Sequence, residues 1–259
     1  MAEGAVRPLH VAAGGPEGAA HRLLLLHAMG ADHRMWDPVR ARLEARYRCL
    51  APDQRGVGRS PLAQAAIPVE DHADDMAAVV RARGEGPVVA VGCAVGAAIA
   101  TALAARHPET VRGLVLVNPL HRTRPEARAM LARRAADVRA GGMAAIMPEA
   151  VTAAFEGCPR DADFQEYCRR FVAQNPVAYA WQLEAILDCD TGPWLAAVAC
   201  RTLVLAGGRD RLLPLHHAEA LQRGIPLARL ATIPEGAHFM PWQRPGDVAE
   251  AIADFIDTI

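Results

Sequence analysis

Three positions far apart in the chain carry the residue types of nucleophilic acyl chemistry. Val88-Val89-Ala90-Val91-Gly92-Cys93-Ala94-Val95-Gly96-Ala97-Ala98 reads as a buried strand turning sharply into a buried helix, with Gly92 and Gly96 flanking residue 94 in the frame Gly-x-nucleophile-x-Gly. In the serine form of this frame the glycines let the backbone pinch, and the strained central residue lifts its hydroxyl above the sheet. Here that residue is Ala94, which offers no oxygen. Further on, Gly207-Gly208-Arg209-Asp210 and Gly236-Ala237-His238-Phe239 each follow an apolar run of strand length. With a serine at 94, its oxygen would attack a carbonyl and His238 would take the proton. Asp210 would fix the imidazole tautomer and stabilise its positive charge. Cys93 is a second nucleophile to weigh, but it precedes the apex by one residue and should point away from His238.

Composition removes other chemistries. All 28 basic residues are arginine, which excludes a Schiff-base lysine and a P-loop lysine. A formal net charge of -1 gives no electrostatic footprint for nucleic acid. Six cysteines (Cys49, Cys93, Cys158, Cys168, Cys189, Cys200) stand without Cys-x-x-Cys pairs, so neither a zinc site nor a disulfide framework is expected. No metal or cofactor is expected. Pro87 to Ala105 carries no charge, but Val88–Val91 is β-branched and two glycines interrupt the run, so a strand and a helix are expected rather than a membrane span. Met1–Arg7 lacks the charged-then-apolar order of a signal peptide, and a cytoplasmic protein is the expectation.

The elements that must position these residues alternate strand and helix. Val6–Ala13 is a weak strand candidate. Arg22–His27 is a continuous apolar run suited to a parallel strand buried on both faces, and it empties into Ala28-Met29-Gly30-Ala31-Asp32, a small-residue loop able to aim backbone N–H groups at an oxyanion. His33–Tyr47 has helical spacing, Arg48–Asp53 is a short strand, and Gln54–Ser60 is a tight glycine-containing turn. No dinucleotide-type helix begins there, so a phosphate cradle is weakly supported. Val69–Arg83 is helical, with its acids towards the N-terminal end. After the strand at 111–118, strand runs vanish until about Ala199; amphipathic segments Pro125–Ala140, Met143–Phe155, Asp161–Gln174 and Pro176–Leu187 suggest a helical insertion. Strands resume at Arg201 and Ala228, and a helix at Asp247–Ile256 closes the chain. The expected architecture is an α/β doubly wound, mostly parallel sheet, with 1–118 and 200–259 as core and 119–199 as a helical cap.

The order elbow, Asp210, His238 is that of the α/β-hydrolases, and the chain resembles that superfamily along nearly its whole length. The likeness rests on Leu26-His27-Ala28-Met29-Gly30, Asp53-Gln54-Arg55-Gly56-Val57-Gly58-Arg59-Ser60 and the three motifs above. Within it, Gly30-Ala31-Asp32-His33-Arg34-Met35-Trp36 and the size of the insertion are similar to the 3-oxoadipate enol-lactonase group of small lactonases and esterases. The resemblance implies the hydrolysis of a small-molecule ester or lactone through an acyl-enzyme, with the N–H groups of Met29 and Val95 as oxyanion hole. Two departures stand out: His27-Ala28 replaces the usual His-Gly, and Ala94 occupies the nucleophile's place.

An alanine at the apex has two explanations: a Ser→Ala exchange that removes the hydroxyl, keeps the turn and leaves the chain inactive, able to hold substrate without turnover, or a natural member that binds without turnover or works with His238 and Asp210 alone. The first is favoured, because an intact acid–histidine pair has little other use. Arg122 and Arg124, with Arg133 and Arg134, are candidates for a substrate carboxylate. Ala28, Trp36, Trp181 and Met240 are candidate lining for a neutral substrate. Carbon–carbon bond hydrolysis and a receptor-like binding role are the alternatives. His216 and His217 are expected to be solvated on an exposed helix.

Overall fold

The structure, a computed structural model, describes residues 8–155 and 158–259. The expected N-terminal reading at Met1–Arg7 lies outside them. Short apolar runs become the seven strands of one sheet: β1 (Val11–Gly14), β2 (Arg22–Leu26), β3 (Arg48–Pro52), β4 (Val88–Cys93), β5 (Val111–Val117), β6 (Arg201–Gly207) and β7 (Ala228–Ile233). Their order is β1-β3-β2-β4-β5-β6-β7. Only β1 runs antiparallel, against β3; the other pairs are parallel. Leu23 to Leu26 and the whole of β4 are buried, which is why these strands read as unbroken apolar runs. The chain moves outward from β2 to β3, then returns to the other side of β2 as β4. Strand order therefore reverses between β2 and β4, and the crevice at their carboxyl ends is where such sheets hold ligands.

Helices α1 (Asp37–Leu43), α2 (Val69–Arg83) and α3 (Val95–Arg106) fill the crossovers of the first half. The uncharged run of the sequence resolves into β4 and the 12-residue α3, and among the described residues no helix is long and apolar enough to cross a membrane. Between β5 and β6 the sheet gains no strand. The chain there makes α4 (Pro125–Ala154), α5 (Ala162–Val172), α6 (Pro176–Ala185) and the short α7 (Gly192–Leu195). α4 is two helices in effect, broken where Gly142 takes φ 72° and ψ −177°. The second half ends with α8 (His216–Gly224), α9 (Met240–Gln243) and α10 (Pro245–Ile256).

The helical segment is tied to the sheet by aromatic contacts. α5 starts at Asp161, whose carboxylate accepts from Phe164 N, and buries Phe164, Tyr167 and Phe171. The Tyr167 ring lies 5.1 Å from Phe239 and 6.0 Å from Trp242, and Phe155 lies 5.8 Å from Phe239. Phe239 follows His238 directly, so this cluster presses on the histidine loop. Gln174 adds a polar tie, donating to the carbonyl of Gly30 at 2.8 Å.

The turn between β4 and α3 carries the strain expected of it. Ala94 sits at φ 52° and ψ −112°, a region that residues with a Cβ avoid. Close backbone contacts hold it there. A Cβ on Gly92 would strike the Gly96 carbonyl, and one on Gly96 would strike the carbonyls of Leu26 and His27. We expect Ala94→Gly to stabilise the fold by roughly 1 kcal/mol, the relief of about 1–3 kcal/mol of backbone strain less the entropy of an unfolded glycine. Urea denaturation measures this; a lower midpoint in the variant would show that the turn is unstrained.

Candidate active site

β6 and β7 deliver the acid and the histidine from neighbouring strands. His238 Nδ1 donates to Asp210 Oδ2 at 2.9 Å, across 28 residues of sequence. Asp210 is buried, and its other oxygen accepts from the backbone N–H groups of Leu212 at 2.9 Å and Leu213 at 3.0 Å. Both carboxylate oxygens are thus committed, and the imidazole is fixed with Nδ1 protonated and Nε2 free to accept.

Asn118, which the sequence reading passed over, clamps this pair. It follows β5 at φ 43°, a conformation asparagine tolerates better than most residues. Its Nδ2 donates to the carbonyls of Ala237 at 2.7 Å and His238 at 3.1 Å, while its Oδ1 accepts from Gly207 N at 2.6 Å. One side chain therefore links the end of β6 to the histidine loop. An Asn directly after a buried strand was the available signal.

On the other side of the crevice, among the described residues, the backbone N–H groups of Met29 and Val95 have no protein acceptor. The loop bearing Met29 is braced from below by His27, whose Nδ1 donates to the Ala28 carbonyl at 2.9 Å and whose Nε2 accepts from Gln54 N at 3.2 Å. The Ala28 N–H is directed to Met35 Sδ at 3.5 Å.

Ala94, Val95, Met29 and His238 line one cavity of about 150 Å³. Arg122 and Arg124 also line it, so the structure brings these two together with the elbow. Arg122 is engaged by Asp190 at 2.7 Å; Arg124 has no carboxylate partner among the described residues. Arg134 is a third lining arginine, largely buried; its Nη2 pairs with Glu149 at 3.2 Å and its Nε has no hydrogen-bond partner. Arg133 is not part of the lining; it is exposed and lies 3.7 Å from Glu149.

Four expected lining residues stand elsewhere. Ala28 is buried beneath the loop, Trp36 lies wholly within the core, and Met240 fills the space beside Gly236. Trp181 borders a separate small chamber with Arg55 and Ala178. The apolar lining comes instead from Leu120, Leu131, Ile186, Leu212 and Leu213. Helical spacing shows that a residue is apolar but not which neighbour its face meets.

His217 is a further correction. It is not solvated but buried on α8 and lines the cavity. The backbone N–H of His121 donates to its Nδ1 at 3.2 Å, leaving the proton on Nε2. Cys93 is fully buried, its thiol pushed well up by burial and by Asp210, so it offers no thiolate.

The glycine turn at 54–60 holds a carboxylate of the chain itself. Asp53 accepts from His33 N at 2.9 Å and Arg59 N at 3.0 Å, and a Cβ on Gly58 would strike it. His10 and His33 also reach Asp53, at 3.0 and 2.8 Å, bringing three possible metal-ligand atoms within 4.8 Å. The four donors already on this carboxylate account for the cluster without an ion. A larger open cavity of about 880 Å³ beside Arg59 and Arg170 includes none of the elbow residues.

The alpha/beta hydrolase family model matches residues 23–251. The chain belongs to the alpha/beta hydrolase family. A relative from Azorhizobium caulinodans, provisionally named carbamate hydrolase RutD, is 32% identical over 252 residues, covering 93% of each chain. Among solved structures, a thermophilic esterase from Thermogutta terrifontis with malate bound is similar at a TM-score of 0.87 and 28% identity, covering 96% of this chain and 93% of that one. The enol-lactonase from Burkholderia xenovorans LB400 is similar at 0.86 and 25%, covering 96% of both. This hydrolase chain shares the fold of both solved structures over nearly its full length.

Three buried histidines of the hydrolase fold are kept neutral. Burial lowers His27; burial, then Arg55, lowers His72 to about 3; burial, then His216, His121 and Arg124, lowers His217 to about 4. In the unfolded chain each titrates near 6.5, so between that pH and about 3–4 the unfolded state binds more protons and stability falls as pH falls. The urea midpoint is expected to drop from pH 7 to pH 5, and to drop less in His72→Leu. An unchanged slope in that variant would mean that His72 titrates normally.

Proposed function

We propose that the chain acts on a small carboxylic ester or lactone at the elbow cavity, with His238 and Asp210 as its base and acid pair and the N–H groups of Met29 and Val95 as its oxyanion hole. The observation that carries this is the 2.9 Å bond between His238 and Asp210, with the ring facing a cavity that residue 94 also lines. The names of the esterase and enol-lactonase relatives favour the same carbonyl chemistry.

The methyl group at 94 changes the order of events. No acyl-enzyme forms there. His238 instead takes a proton from water as the water oxygen bonds to the carbonyl carbon, and the negative oxygen faces Met29 and Val95. The tetrahedral intermediate collapses by breaking the bond to the leaving oxygen, which receives the proton from His238. Loss of the nucleophile from a triad typically costs about 10⁶ in kcat, while the rest of such a site retains roughly 10³–10⁴ over water. Arg124, which lines the cavity without a carboxylate partner among the described residues, favours a substrate that carries a carboxylate away from the scissile bond.

Ala94→Ser is expected to raise the hydrolysis of phenyl acetate by several orders of magnitude, up to about 10⁶, and to give a phenol burst, with an acetyl group on residue 94 detected by mass spectrometry. His238→Ala should abolish the reaction in both backgrounds. If neither the chain nor its serine variant cleaves an activated ester, the cavity serves binding alone.

A further inference from the structure

One hydrogen-bond donor in the wall of the elbow cavity has no part in the hydrolytic steps. His217, on α8, is 5% exposed and lines the cavity together with Ala94, Val95 and His238. Its ring is held in place. The backbone N–H of His121 donates to Nδ1 at 3.2 Å, and the His216 ring packs against it with centroids 4.5 Å apart. His121 is tied in turn to Thr191, whose N–H donates to the His121 carbonyl at 2.9 Å and whose Oγ1 lies 2.8 Å from His121 Nδ1. With Nδ1 occupied as an acceptor, the proton of the neutral ring sits on Nε2, and Nε2 has no hydrogen-bond partner among the described residues.

The surroundings of that donor define its guest. Burial, then His216, His121 and Arg124, keeps the imidazole neutral against the pull of Asp210. A second proton would have to enter at Nδ1, where it would meet the N–H of His121. His217 therefore offers the cavity one donor and no acceptor. Arg124 lines the same cavity and belongs to the same segment after β5 as His121; its charge acts on the His217 ring, and it has no carboxylate partner among the described residues. Leu120, Leu212 and Leu213 make the rest of this wall apolar. A buried donor left open in the same cavity as an unpaired guanidinium suits an anionic oxygen, because a charge-assisted bond is strongest where water is excluded.

We infer that His217 is a specificity-determining residue: its Nε2–H and the Arg124 guanidinium together seat a carboxylate that the substrate carries away from the scissile carbonyl. This rests on the carbonyl-hydrolase reading of the elbow cavity and adds the residue that orients the substrate there. Arg124 is exposed, so water and salt screen the charge it supplies; His217 is buried and supplies direction. An apolar group of the same shape would leave the Nε2–H without an acceptor once water is displaced, and that loss is the source of discrimination.

Methyl ketones, which the site cannot hydrolyse, test this: levulinate and its homologues with one and two more methylene groups, each paired with the ketone that carries isopropyl in place of the carboxylate. Affinities for the intact chain are measured by ligand-observed NMR, and seating by shifts of the His238 ring signals. The best-fitting acid is expected to bind about thirtyfold more tightly than its isostere, of which about tenfold comes from the bond to His217. In His217→Leu the preference should fall to about threefold, the share left to Arg124. In His217→Gln it should persist, since the amide N–H can take the place of Nε2–H. Arg124→Leu should lower it as well, and the double variant should lose less than the sum of the two single losses. Thermal melts check that the variants fold. In the unsubstituted chain the His217 Nε2–H resonance should move downfield with the acid and not with the isostere, a readout that needs no variant. Equal affinities of acid and isostere, a preference unchanged in His217→Leu, or a still His217 resonance would overturn the role of His217 and leave the elbow reading standing. If none of the ketones perturbs His238, the elbow reading fails and this inference with it.

Discussion

The close approach of Gly96 to the carbonyls of Leu26 and His27 is the constraint on which the rest of the site depends. Only a residue without a Cβ can sit there, and the contact locks the start of α3 against the end of β2. Two free N–H groups, one from Met29 and one from Val95, are thereby brought to the same side of the sheet. The reversal of strand order between β2 and β4 supplies the space above them. Strain at Ala94 is a consequence of this packing rather than an independent feature. The backbone is forced into its bend by what lies beneath it, whichever side chain occupies the apex.

The histidine side of the crevice is held by different forces. Its carboxylate is fixed by two backbone donors, its loop by Asn118, and its outer face by the aromatic cluster around Tyr167 and Phe239. Each aromatic pair contributes about 0.5–1.5 kcal/mol beyond area burial, so α5 is coupled energetically to the loop it covers. Arg170 strengthens that coupling, stacking 4.7 Å from the Trp242 ring while pairing with Asp32 at 2.8 Å. The two halves of the site therefore share one covering helix, since α5 also reaches Gly30 through the adjoining Gln174.

Much of this was legible in the sequence because backbone requirements leave marks on residue type. Unbroken apolar runs marked parallel strands, paired glycines marked the bend, and residues after strands marked the crevice. The break in α4 was visible as Gly141-Gly142. What could not be read was side-chain direction between elements that sequence does not connect. Trp36 and Met240 lie close in sequence to loops of the site, yet their side chains are buried in the core, while His217 turns inward from a helix that looked solvated. Asn118 escaped notice because its role lies in three bonds to segments about 90 and 120 residues away.

The charges around the cavity favour one kind of guest. Arg124 and Arg134 line it, His217 is neutral with its proton on Nε2, and no carboxylate is among the lining residues, although Asp190 pairs with Arg122 and Glu149 with Arg134. In the proposed reaction, a carbonyl oxygen gaining negative charge would face backbone donors and the arginine side of the cavity, where Arg124 has no carboxylate partner among the described residues. Such a field, held by backbone and buried side chains, needs no reorganisation when charge develops. It is also independent of residue 94, because none of these groups hydrogen-bonds through that side chain. Removing a hydroxyl from the apex thus takes away a nucleophile while leaving intact the electrostatic surroundings that would stabilise its product.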